Sequence, residues 1–89
     1  MRKVVRRNRF LRELRQLKRR GLDIQELLAA IDLLVEDGEL PAGYNPHLLT
    51  GEWEGIWECH IDPDWLLIYE ITADEVILHR TGSHADLFG

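Results

Sequence analysis

The chain of 89 residues contains one cysteine, Cys59, so it has neither an internal disulfide nor a paired-cysteine zinc site. A lone thiol fits a reducing compartment, and the cytoplasm is the expected location. No apolar run approaches the roughly 18 residues needed to cross a bilayer, so no membrane partner is expected. The basic N-terminus lacks the apolar stretch of a signal peptide. No repeat or low-complexity segment interrupts the chain. Positive charge is scarcest of all after residue 20. Arg80 is the only Lys or Arg from there to the end, against fifteen acids. The first twenty residues are the reverse, with ten cations against the single acid Glu13. The net charge of -5 therefore averages a basic arm of +9 and an acidic body of −14.

This length supports one domain, residues 1–89, with a small core. A hydrophobic content of 45% argues for a folded chain rather than a disordered one. Residues 2–6 read as an edge strand. Asn8 is the expected cap of a first helix, in which Phe10, Leu11, Leu14 and Leu17 recur at helical spacing. Gly21 stops it. Asp23 and Glu26 have the spacing of a capping box for a second helix. Ile24, Leu27, Leu28, Ile31, Leu34 and Val35 form its apolar stripe, and Gly38 ends it. Pro41, Gly43, Asn45 and Pro46 mark a loop, and Pro46 biases Asn45 toward extended geometry.

Residues 55–62 alternate, with Trp57, Cys59 and Ile61 on one face and Glu58, His60 and Asp62 on the other. Residues 65–71 read as a central apolar strand and residues 75–80 as another, followed by a short tail. The expected class is α+β, an N-terminal antiparallel helix hairpin packed on a twisted antiparallel β-sheet. The helices cover one face, and the other face is left for a site. Trp53, Trp57 and Trp65 are expected in the core.

Chemistry-bearing residues concentrate in the second half: His47, Glu58, His60, Asp62, Asp64, Arg80 and His84. Histidine exchanges protons near neutral pH, and a neighbouring carboxylate fixes its tautomer. An arginine neutralises charge developing on a phosphate. That set suits acid–base cleavage of a phosphodiester. The plainer alternative is a set of solvated surface residues, and His79 is assigned to it. The same His60, Asp62, Asp64 and His84 offer metal donors, but their spacing crosses a proline turn and matches no helix-spaced metal motif.

Residues 58–69 (ECHIDPDWLLIY) and 80–88 (RTGSHADLF) resemble the YafQ branch of the RelE toxins. The likeness extends through Leu40-Pro41, Tyr44, His47, Leu49, Gly51, Trp53 and Lys18-Arg19-Arg20-Gly21, covering nearly the whole chain. It implies a RelE-like fold and the toxin of a type II toxin–antitoxin system. It also implies a ribosome-dependent endoribonuclease that cuts mRNA without a metal or other cofactor. The implied partners are a cognate RelB/DinJ-like antitoxin, the ribosome and mRNA. By position, the resemblance assigns catalysis to His47, His60, Asp64 and His84, and substrate contacts to Glu58, Trp65, Arg80 and Phe88. Two positions depart from the family pattern. Pro46 replaces the usual Asp before the first histidine, and Trp57 replaces a usual Arg.

The expected mechanism uses the RNA 2′-hydroxyl as nucleophile. His60 or His47 serves as base, Asp64 orients its neighbour, His84 is the candidate acid and Arg80 stabilises the phosphorane. The alternative is a catalytically degenerate homologue that only binds antitoxin or RNA.

Overall fold

A computed structural model describes residues 1–89 apart from the side chain of Trp53, so the core placement expected for that ring lies outside the described residues. Strand β1 (Lys3–Arg6) leads into helices α1 (Asn8–Arg19) and α2 (Ile24–Asp37). A single 3-10 turn (Ala42–Tyr44), a two-residue strand β2 (His47–Leu48) and a second turn (Gly51–Trp53) follow. Strands β3 (Trp57–Asp62), β4 (Trp65–Ile71) and β5 (Glu75–Gly82) and the short helix α3 (His84–Phe88) complete the chain. No helix is long and apolar enough to cross a membrane among the described residues.

The α+β architecture agrees with the sequence pattern, and β4 is central in the order β1-β5-β4-β3-β2. The sheet is mixed rather than wholly antiparallel, because β1 pairs parallel to β5 with Val4 opposite Val76. Alternation of side chains carries no direction, and the long connection through both helices permits a parallel edge. Strand β2 falls in the expected loop. Two residues are too few to alternate, yet His47 pairs with Glu58 and Leu48 with Trp57. The expected tail is helical, held by a capping box in which Ser83 and Asp86 bond each other's backbone N–H.

Helix α1 starts one residue from the expected cap. Arg7 holds the cap position without a side-chain bond, and Asn8 is already helical. The Arg7 N–H donates to the Leu78 carbonyl at 3.1 Å, so strand pairing sets the helix start. Asp23 caps α2 by accepting from the Gln25 N–H. Glu26 does not complete the box, and the neighbouring Asp62 carboxyl is the main influence holding its own carboxyl above the usual range. Gly38 ends α2 at φ 73°, a left-handed conformation that disfavours other residues.

On one face of the sheet, Phe10, Leu17, Leu27 and Leu34 pack against Cys59, Leu67, Tyr69 and Leu78. Trp57 is half-buried at the margin and stacks on Tyr69 with ring centroids 6.3 Å apart. The opposite face carries a smaller cluster of Leu66, Ile68 and Leu87, which seats α3. Gly82 permits that seating, because a Cβ there would lie 2.9 Å from the Asp86 Cβ.

The lone acid of the basic arm joins these parts. Glu13 receives the Arg80 guanidinium at 2.6 Å through Nη2, with Nε also in reach of both its oxygens. The remaining Arg80 donors reach the carbonyls of Leu87 and Asp86. Arg20 grips α3 again through Asp86 at 2.7 Å. The Glu13–Arg80 side chains are only 16% and 9% exposed, so removing one charge leaves the other stranded in a poorly solvated place. Glu13→Gln should therefore cost about 3–5 kcal/mol, read as a lower urea midpoint. A loss under about 0.5 kcal/mol, typical of exposed pairs, would show that the clamp does not hold the fold.

Candidate active site

Strand β3 alternates across the sheet. Cys59 and Ile61 enter the helix-side core, while Glu58 and His60 face the side of Ile68 and Leu66, their cross-strand partners. The pairing of β2 with β3 brings His47 beside Glu58, and the β3–β4 turn at Pro63-Asp64 meets the end of β5 where α3 begins. Three histidines far apart in sequence thereby line one surface.

Glu58 is 7% exposed, an unusual position for a carboxylate, and its Oε1 lies 3.1 Å from His47 Nε2. His47 Nδ1 lies 3.1 Å from the Asn45 carbonyl. Both ring nitrogens thus face acceptors, and only the doubly protonated ring donates to both. His60 Nδ1 faces the Asn45 side-chain amide nitrogen at 3.4 Å, so it accepts and the proton sits on Nε2. The rings of His60 and His84 stand 5.7 Å apart, tilted by 46°. His84 Nδ1 donates to Asp64 Oδ1 at 2.7 Å, and the His84 backbone N–H donates to the same oxygen at 3.0 Å. His84 Nε2 makes no hydrogen bond among the described residues.

These donors, the backbone N–H first and the ring second, hold the Asp64 carboxyl below the usual carboxylate range. The carboxylate is thus retained at any pH near neutral as the orienting partner of His84. Cys59 is not a candidate nucleophile, because burial, then the Glu58 charge, pushes its thiol up to about 12. Among the described residues, no three His, Cys, Asp or Glu side chains are grouped to hold a metal ion.

The remaining site assignments separate. Phe88 is 55% exposed and lies four residues beyond His84 on α3, so the two share a helix face. Trp65 does not offer a stacking face. It is 2% exposed, with Nε1–H donating to Thr81 Oγ1 at 2.9 Å. Its position next to Asp64 makes it the packed floor of the β3–β4 turn. Arg80 is not free to meet a phosphate in this conformation, since its donors are taken by Glu13 and the end of α3. His79 pairs with Glu70 at 3.0 Å and does not join the other three histidines. Two residues escaped notice in the sequence. Asn45 looked like a loop residue, and Glu13 was an isolated acid among cations.

Clefts flank the histidines on two sides. One of about 320 Å³ lies between the end of α1 and Asp64, lined by Leu17, Arg20, Leu22, Asp62, Trp65 and Ser83. Another of about 410 Å³ borders His60 and Tyr44.

The lowered Asp64 value gives a signed expectation. A carboxyl depressed in the folded state contributes stability above its unfolded value of about 3.9, lost as pH falls through the folded value. His84→Ala deletes the ring bond but keeps the larger backbone bond. Asp64 should therefore rise only part of the way to about 3.9 in a carbon-13 carboxyl titration. A full return would show that the backbone bond contributes nothing.

The family model described as "Bacterial toxin of type II toxin-antitoxin system, YafQ" matches residues 2–89. The mRNA interferase toxin YafQ of Escherichia coli K12 is 37% identical over 81 residues, covering 90% of this chain and 88% of that protein. The E. coli DinJ–YafQ complex contains a chain of the same fold at TM-score 0.91 and 34% identity, with both chains fully covered. A copper-bound L66S mutant toxin from Helicobacter pylori superposes at TM-score 0.93 with 36% identity, over 99% of this chain and 100% of the other. The chain thus belongs to the YafQ family of bacterial type II toxin–antitoxin toxins.

Proposed function

We propose that the chain is a ribosome-dependent, metal-independent endoribonuclease that cuts mRNA by attack of the 2′-hydroxyl. The observation that carries this reading is the His84–Asp64 dyad, with one ring nitrogen free, standing beside the His60 ring. An RNA strand supplies its own nucleophile, so the site needs a base, an acid and a stabiliser of phosphorane charge.

The hydrogen-bond pattern supports a different order of roles from the one expected from sequence. His84 Nε2 is the available lone pair and takes the 2′-hydroxyl proton, while Asp64 fixes the tautomer and stabilises the imidazolium that forms. The 2′-oxygen bonds to phosphorus as the bond to the 5′-oxygen breaks. His47, held between Glu58 and the Asn45 carbonyl, donates the proton to that leaving oxygen. His60 donates its Nε2–H to a non-bridging phosphate oxygen. The products are a 2′,3′-cyclic phosphate and a 5′-hydroxyl. Phe88, exposed beside His84, stacks on a base next to the cut. Arg80 acts as a positioning residue for α3 rather than as a phosphate ligand.

The relative named mRNA interferase supports the substrate class, and the relative in complex with DinJ supports an antitoxin partner of that kind. The exposed Arg9, Arg12, Arg15, Lys18 and Arg19 of α1 supply the attraction to ribosomal RNA that the acidic body lacks. The cytoplasm, where ribosomes and antitoxin meet, is the proposed location.

Mapping new mRNA 5′ ends after brief induction tests the reading. Cuts in a fixed reading-frame phase are expected, with His84→Ala lowering their yield by about 10²–10⁴-fold. Cuts in random phase would replace ribosome dependence with a free ribonuclease. No cuts, with growth arrest absent, would leave only an inert binder. Loss of cleavage in EDTA with an intact ribosome would restore a metal to the reaction.

A further inference from the structure

Among the described residues, Asn45 is the only one other than glycine with positive φ, at 49°. Its ψ of 51° places it in the left-handed region, where it closes the 3-10 turn by donating its N–H to the Ala42 carbonyl at 2.9 Å. Asparagine visits this region at lower cost than most residues. The conformation has a geometric result. It presents the Asn45 carbonyl to His47 Nδ1 at 3.1 Å and the side-chain amide nitrogen to His60 Nδ1 at 3.4 Å.

We propose that Asn45 is a positioning residue that sets where the protons sit on both histidines. A carbonyl only accepts, so it retains a proton on His47 Nδ1. An amide nitrogen only donates, so it keeps His60 Nδ1 bare and sends that ring's proton to Nε2. One residue thus sets opposite proton placements at Nδ1 on two rings of the same chemistry. The backbone does one job and the side chain the other. Glycine would keep the turn and the carbonyl but lose the amide. Alanine would lose the amide and strain the turn. Aspartate would replace a donor with an acceptor in nearly the same volume.

The effect on cleavage rests on the function proposed above, but the proton placement does not. Long-range nitrogen-15 to proton spectra of the histidine rings read it directly on the full chain. Asn45→Gly should leave the His47 signals unchanged and turn His60 from the Nε2–H tautomer into a mixture. Asn45→Asp should move the His60 proton to Nδ1. In the cleavage assay, Asn45→Gly should lose about tenfold and Asn45→Asp more, on the scale of one net hydrogen bond. An Nε2–H tautomer retained by His60 in both variants would overturn the proposal. So would a His47 ring perturbed as much as His60 in the glycine variant. Should the wild-type chain fail to cleave mRNA, the ring spectra still decide the role of Asn45. Asn45→Gly is the variant that preserves folding if Asn45→Asp does not.

Discussion

The Glu13–Arg80 pair is the constraint on which the rest of the structure depends. It ties the basic helix, the last strand and the terminal helix together at a single buried point. Helix α3 has five residues, too short to persist alone, and it carries both His84 and Phe88. Its place is secured by the Ser83–Asp86 capping box, by Leu87 in the small core, by Arg20 on Asp86 and by Arg80 on its last carbonyls. The helix that carries five of the eleven Lys and Arg residues therefore also holds His84 in place. On the proposed function, charge for docking and geometry for chemistry share one element.

That arrangement changes the meaning of the charge split. The body that carries the proposed RNA site is acidic, and its single arginine is already neutralised by Glu13. Within the proposed site the group that faces both a buried glutamate and a backbone carbonyl is a histidine, His47. On the proposed function, long-range attraction would come from α1 and weaken with salt, whereas hydrogen bonds orient the groups at the site.

Much of the fold was legible in the sequence because periodicity reports which face is buried. The helix hairpin, the central β4 and the opposite facing of Glu58 and Cys59 all follow from spacing. Direction is invisible to periodicity, so the parallel pairing of β1 with β5 was not foreseen. Strand β2 was too short to show a pattern. Asn45 was expected to be extended because proline follows it, but closure of the 3-10 turn required the left-handed region and asparagine tolerated it. The residue types of the site were legible, and the family resemblance drew His47, His60, Asp64 and His84 together. Partner choice was not legible. Nothing in the sequence says that Arg80 turns to Glu13, or that the Trp65 ring is sealed by Thr81.

The central claim is that the substrate's own 2′-hydroxyl makes the cut while three histidines manage the protons. The chemistry of the upstream fragment's new 3′ end tests it most directly, because the nucleophile leaves its mark there. A 2′,3′-cyclic phosphate on that fragment, paired with a 5′-hydroxyl on the downstream one, is the predicted result. A free 3′-hydroxyl with a 5′-phosphate would mean that water attacked instead, and the account would be contradicted.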